Sequence, residues 1–451
     1  MSRMWTRLSL AMCGCALATS FQAHSGASRS RADSLSPAPP NVINDWAVIA
    51  QDTISPTVVT GGQNAYGPMV PIAMYDAVVA IEGGYEPYTA PVIAPAGADV
   101  KAAVATAAYR VLHERFPAQQ TSLDSKYASY MAGILDGQPK LDGTAVGEAV
   151  AQQLLAMRAG DNLETCTGLC STTWVQPTPG PGVFEPFPAG SIPQGADIRF
   201  VRPWTIRTAD QFRPDGPSPL TSLEYAGDWA ETRDWGSSTS TLRSPYDNDT
   251  ARFWAGQTAF MIRSTLWMAA TDYQLDVVQT ARLFAMSFTA ASDGVIGCMD
   301  AKYHSMAWRP RYAIWRADTD GNPLTEPADP TWTPLLATPN HPEYPAAHGC
   351  VSYALYDTMR AFFGGDRPIR IQTIAATGVG GSIRTYDKFN DIEKEIVDAR
   401  VFGGMHFRHS CMIGAQLGRK VAKNLVDNFF RPTSAVARHH ATGLQTSMAI
   451  R

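Results

Sequence analysis

The chain has 451 residues, 45% hydrophobic and 10% aromatic, enough apolar material for a large core, whether as two fused helical units or as one big domain. A formal charge of -4 with no long basic run gives no electrostatic case for a nucleic-acid partner. Any cationic site must be local.

In chain order, Arg3 and Arg7 precede an apolar run from Leu8 to Ala18, and small residues then lead into a polar stretch from Ser25 to Pro40. This pattern predicts an export signal over residues 1–23, cleaved after Ala18 or Ala23, then a disordered linker over 24–43. The run is too short to span a bilayer, so no transmembrane segment is expected. Export places the mature protein in the periplasm or outside the cell. There the close pair Cys166 and Cys170 would staple a surface loop, and Cys298, Cys350 and Cys411 would remain as buried thiols.

Residues 44–165 read as an N-terminal helical half. Apolar spacing predicts helices over Asn44–Ile54, Val70–Ile81, Val104–Phe116, Ser122–Leu135 and Thr144–Ala159, with Pro117 closing the third. From 166 to 248 the composition shifts to Pro, Gly, Trp, Ser and Thr, which predicts an irregular connection packed over the surface, or a lid. Residues 249–431 form a second helical half, with helices over Asp249–Ala270 and Gln274–Ser292. Asn390 and Glu393 fit a capping box. A helix over Met405–Phe430, ended by Pro432, would hold His406 in its first turn, where free N–H groups and the dipole favour an anion. Residues 432–451 read as a tail.

The chemistry concentrates between Lys302 and His406. Lys302 and Arg309 lie in K-Y-H-S-M-A-W-R-P, His348 ends H-P-E-Y-P-A-A-H, and Arg400 and His406 lie in A-R-V-F-G-G-M-H. Three cations and two histidines from three segments suit an enclosed tetrahedral oxyanion: a point charge from lysine, paired hydrogen bonds from arginine, and an imidazole that bonds the central atom or moves a proton. Competing motifs are missing. There is no P-loop lysine, no complete dinucleotide fingerprint, no G-x-S-x-G elbow and no H-E-x-x-H pair. The Gly378 to Gly381 run reads as a turn shaping the site entrance.

The three segments, in order and with their internal spacings, resemble the signatures of the vanadium-dependent haloperoxidases and the related type-2 phosphatidic acid phosphatases. The stretches M-Y-D-A-V-V-A-I, W-V-Q-P-T-P-G, R-S-P-Y-D and R-F-W-A-G extend the resemblance, to bacterial haloperoxidase-like members, over most of the mature chain. It implies an all-α fold of two four-helix-bundle-like halves joined by long irregular connections, with the oxyanion site in the C-terminal half. Lys302, Arg309 and Arg400 would bind the oxyanion together with the Ala347 backbone, His406 would ligate vanadate, and His348 would be the acid–base group. His341 and Met299 would line a halide pocket. Phosphate would fit the same site.

Two departures stand out. Ala346 and Ala347 replace the usual Ser-Gly before the middle histidine, which removes a hydroxyl donor, and Ser410 stands where an aspartate often orients the ligand histidine. Asp398 or another carboxylate would have to substitute. The implied activity is oxidation of halide by hydrogen peroxide, with a small organic acceptor as second substrate and bromide or iodide favoured over chloride. The alternatives are an acid phosphatase with His406 as nucleophile and a non-catalytic oxyanion-binding relative. A homo-oligomer is compatible with either.

Overall fold

A computed structural model describes residues 41–374 and 382–433. The export signal, most of the linker, the Gly378 to Gly381 turn and nearly all of the tail lie outside the described residues. Six helices make the first half: α1 Val42–Ile54, α2 Thr60–Tyr66, α3 Met69–Glu82, α4 Val100–Arg115, α5 Gln120–Ala132 and α6 Gln138–Met157. Eight more follow: α7 Leu223–Gly236, α8 Pro245–Phe253, α9 Thr258–Asp272, α10 Val277–Ser305, α11 Pro310–Trp315, α12 Ala347–Phe363, α13 Phe389–Phe402 and α14 Arg408–Asn428. The fold is almost wholly helical. An antiparallel hairpin of β1 Ile369–Gln372 and β2 Ile383–Tyr386 interrupts it.

Helix α10 is the spine. Asp276 opens it with a capping box, accepting from the Gln279 N–H while the Gln279 side chain returns the bond. It then runs 29 residues to Lys302 and Ser305, well past the predicted end at Ser292, because Met306 terminates it in a left-handed conformation (φ 51°). One face packs on α2 and α3, the other on α12 and α14. A single apolar core therefore joins the first half to the second, from Trp46 and Ile72 through Phe284 and Ile296 to Leu355 and Leu417.

The α12–α14 contact depends on small residues. A Cβ on Gly414 would stand 2.5 Å from the Ala346 carbonyl oxygen, and one on Gly418 would stand 2.5 Å from that of Cys350. Glycine lets the two backbones touch, and this fixes the start of α12 relative to α14.

The structure corrects several boundaries. The single helix expected over Asp249–Ala270 is two, broken at 254–257, and Gly256 in the break lies so close to Thr373 that a Cβ there would meet its Oγ1. Asn390 and Glu393 form no capping box: both reach the Arg360 guanidinium, at 2.8 and 3.1 Å, and α13 starts at Phe389 after Lys388 without a side-chain cap. Helix α7 and the start of α8 fall inside the irregular connection expected over 166–248, and the irregular part, 166–222, is pinned down. Asp197 accepts from Thr172 and Thr173, and Asp293 accepts from the Trp204, Thr205 and Ile206 backbone. Cys166 and Cys170 form the expected disulfide: the loop it closes is exposed at Thr167 to Leu169, while the two cysteines themselves pack against the core. Cys298, Cys350 and Cys411 are buried thiols. Among the described residues, no helix is long and apolar enough to cross a membrane.

Candidate active site

Lys302 lies in the last turns of α10, fully buried, and its Nζ donates to the carbonyls of Pro342 (2.8 Å) and Glu343 (2.9 Å). Burial pulls this amine down to about 8. Arg309 caps α11, with Pro310 at the first helical position, where a missing N–H costs nothing. Its guanidinium donates Nε to the His341 carbonyl (2.8 Å) and Nη1 to that of Met405 (2.8 Å). It also faces His406 Nε2 (3.0 Å) and His341 Nδ1 (2.9 Å). Arg400, in the last turn of α13, touches the Trp254 carbonyl through Nη1 (3.3 Å) and the Met405 sulfur through Nη2 (3.1 Å). Its buried Nε has no partner.

His406 sits on the Gly403–Gly404 turn, two residues before α14, not inside its first turn as expected; Phe407 is the N-cap. Its Nδ1 lies 2.9 Å from Glu343 Oε1, and the Phe407 N–H donates to the same oxygen at 3.1 Å. A carboxylate accepts only, so the proton belongs on Nδ1 and Nε2 is left as an acceptor. Arg309 Nη1, a donor, faces it, which agrees with this tautomer. Burial first, then Arg309, Lys302 and Arg400, hold the ring well below the usual imidazole range, so it is neutral. Burial raises Glu343 to about 7, against the pull of Lys302 and Arg309.

His348 is the second residue of α12. Its ring donates to the Trp254 carbonyl, and burial and Arg400 keep it neutral. Ala346 caps α12 without a side-chain bond, so the first N–H groups of this 17-residue helix, those of Ala347 and His348, are unspent donors at a positive dipole end. The Ala346 methyl packs with Tyr353, Val397, Cys411 and Ala415 in a small apolar cluster, whereas Ala347 reaches the cavity.

The cavity measures about 420 Å³. Ala347, His348, Arg400 and His406 line it together with His341 and Met299. Lys302 and Arg309 stand behind this wall. Lys302 has two of its three donors committed to carbonyls, and Arg309 reaches the cavity side through His406 and His341. The arrangement offers an anion the Arg400 guanidinium, helix N-terminal N–H groups and an unprotonated imidazole nitrogen that accepts from Arg309, with two further buried cations behind them. That donor set fits a tetrahedral oxyanion such as vanadate or phosphate. Among the described residues, no group of three His, Cys, Asp or Glu side chains could hold a metal cation.

The sequence reading missed Glu343. Asp398, the suggested substitute, pairs with Arg408 at 2.8 Å instead. Ser410, in the aspartate's place, is buried and directs its hydroxyl at the Glu343 carbonyl (3.4 Å). The available signal was a carboxylate between Pro342 and the Y-P-A-A-H motif, in a chain whose expected orienting aspartate is absent. The first half also reaches the site: Val59, Gly61 and Asn64 line the cavity.

Residues 282–435 match the family model of the VCPO second helical-bundle domain. No curated protein matches the chain. Among solved structures, a bacterial vanadium-dependent iodoperoxidase superposes with a TM-score of 0.71 at 22% identity, over 88% of this chain and 99% of that one. The holo form of a bacterial vanadium-dependent chloroperoxidase gives 0.63 at 14% identity over 87% and 93%, and an apo form gives 0.63 at 15% over 87% and 95%. The chain thus has the fold of the vanadium haloperoxidase superfamily, and its C-terminal bundle carries that superfamily's second-bundle domain.

Proposed function

We propose that the protein is an exported, vanadate-dependent haloperoxidase-like enzyme that oxidises halide with hydrogen peroxide. The observation that carries this reading is His406, its ring oriented by Glu343 so that the unprotonated Nε2, now accepting from Arg309, lies in the same cavity wall as Arg400. His406 Nε2 would hold vanadate, with Arg400 and the Ala347 and His348 N–H groups as donors to its oxygens. Bound there, vanadate would supply a Lewis-acidic centre that activates peroxide toward attack by halide. Lys302 and Arg309, both buried, offset negative charge from behind the wall. His348, whose ring is anchored on Trp254, keeps a free nitrogen to take up and return a proton. His341 and Met299 flank the space left for halide. The soft, polarisable Met299 sulfur and a cage without a serine hydroxyl favour bromide or iodide over chloride.

The same unprotonated Nε2 would serve as a nucleophile toward phosphorus, the chemistry of an acid phosphatase. Equilibrium dialysis with vanadate, run beside halide oxidation and p-nitrophenyl phosphate turnover, separates the readings. Tight vanadate binding with halide oxidation is expected. Ester turnover with a trapped phosphohistidine at His406 would replace the peroxidase reading, and anion binding with neither activity would leave a non-catalytic relative.

A further inference from the structure

Helix α8 ends at the cavity, and its last carbonyl is used there. Trp254 is the C-cap, so its carbonyl is one of those a helix leaves without an intrahelical partner, at the negative end of the dipole. It accepts from Arg400 Nη1 at 3.3 Å and from the His348 ring. The residues that follow, Ala255, Gly256 and Thr258, form part of the cavity wall. One backbone oxygen thus holds both the guanidinium and the acid–base imidazole of the site.

What fixes that oxygen is not among the residues lining the cavity. Trp254 is buried, its ring meets Phe253 edge-on with centroids 5.3 Å apart, and its indole N–H donates to Glu395 Oε1 at 2.9 Å. The same oxygen accepts from the Tyr386 hydroxyl at 2.6 Å and from Arg384 Nη1, and Oε2 accepts from the Tyr246 hydroxyl at 2.8 Å. One carboxylate therefore gathers the start of α8, its C-cap and strand β2. Glu395 stands on α13, five residues before Arg400. Trp254 is tied twice to that helix, by its indole to Glu395 and by its carbonyl to Arg400. A rotation of the C-cap that swings the carbonyl away must break a charge-assisted hydrogen bond.

We propose that Glu395 and Trp254 are positioning residues of the oxyanion site, acting through the Trp254 carbonyl to aim Arg400 and to fix the ring of His348. This rests on the reading of the cavity as an oxyanion site. It extends that reading to the β1–β2 hairpin, whose Arg384 and Tyr386 hold the carboxylate in place.

Tungstate affinity of the full chain, measured by equilibrium dialysis, reads the aim of Arg400. Trp254→Phe, which removes the indole N–H and keeps an aromatic ring, and Glu395→Ala should each weaken binding about tenfold, the lower end for a partner behind the anion's own donors. Glu395→Gln keeps an acceptor for the indole and should stay within about threefold of wild type. Arg370→Ala breaks the pairing of the same hairpin with Asp272 (2.8 Å) and leaves this network alone, so it should change nothing. In an Arg400→Ala background Trp254→Phe should cost less than about threefold, because the group it aims is gone. Without any anion, NMR of protein carrying isotope-labelled histidine reads the other arm. The His348 signals, assigned with His348→Gln, should report one ring tautomer in wild type and tautomer exchange in Trp254→Phe. Unchanged tungstate affinity in Trp254→Phe, the same loss in the Arg400→Ala background, or an equal loss in Arg370→Ala overturns the proposal. If wild type binds no tungstate, the oxyanion reading falls and the His348 signals decide alone: a change in Trp254→Phe keeps the positioning role, and identical spectra overturn it.

Discussion

If Glu343 works by orienting His406, the two residues must be energetically coupled, and the coupling can be sized. Glu343 is 2% exposed and gives one oxygen to both His406 Nδ1 and the Phe407 N–H. Substitution of Glu343 by Ala does two opposed things to anion binding. It frees the His406 ring to rotate and to change tautomer, and loss of such a supporting partner typically weakens binding by about 10–100-fold, or roughly 1.4–2.7 kcal/mol. It also removes a negative charge ~7 Å from the anion position, which at an effective dielectric of 20 strengthens binding by about 2 kcal/mol. The single variant is therefore a poor test, since the two effects nearly cancel.

A double-mutant cycle separates them. The charge effect is present whether residue 406 is His or Ala, whereas the orienting effect needs the imidazole. Tungstate affinity measured at pH 8, where Glu343 is mostly ionised given a value near 7, should show a coupling between Glu343→Ala and His406→Ala of about 10–100-fold. In the His406→Ala background, loss of Glu343 should tighten tungstate binding. Coupling below about twofold, or the same effect of Glu343→Ala in both backgrounds, would refute the orienting role.

Arg400→Ala should weaken tungstate by at least about thirtyfold, the lower range for a buried charge-assisted contact, because Arg400 lines the cavity wall itself; equilibrium dialysis reads this directly. Anion affinity should fall as pH rises through about 8 to 9. Burial lowers Lys302 from an ordinary 10.5 to about 8, so the cation is present below that value and lost above it; Lys302→Met should remove the step. Gly418→Ala should destabilise the fold by about 1–3 kcal/mol through overpacking, since its Cβ would stand 2.5 Å from the Cys350 carbonyl oxygen. Urea denaturation followed by circular dichroism checks this, and an unchanged midpoint would mean that α12 and α14 separate more easily than their contact suggests. N-terminal sequencing of protein recovered from the periplasm or medium should begin after Ala18 or Ala23, and an intact Met1 there would rule out signal cleavage.

The helices with clean apolar spacing were legible in the sequence. Val70–Ile81 and Thr144–Ala159 fall within two residues of α3 and α6 at their C-terminal ends, because one face of each is simply core. Residues whose placement depends on distant partners were not legible. The break between α8 and α9 holds Gly256 against Thr373, more than a hundred residues away, and apolar spacing cannot register that contact. Helix α12 begins immediately after the Y-P-A-A motif without a side-chain cap, so no local signal marks its start. Asn390 and Glu393 have the right spacing for a capping box, yet a better partner, Arg360, takes both. The five cationic and histidine positions were readable because their spacings constrain one another. Glu343 was not, because a lone glutamate between two prolines carries no spacing at all and acquires its role only when α14 brings His406 beside it.

Turnover of halide with peroxide through vanadate bound in this cavity can be followed as bromination of monochlorodimedone by the purified full chain, before vanadate removal, after removal and after restoration. Bromide- and peroxide-dependent bromination should disappear with vanadate and return when it is added back, and His406→Ala should not recover it. Protein that binds vanadate yet stays inactive with bromide, iodide and chloride alike would contradict the peroxidase reading.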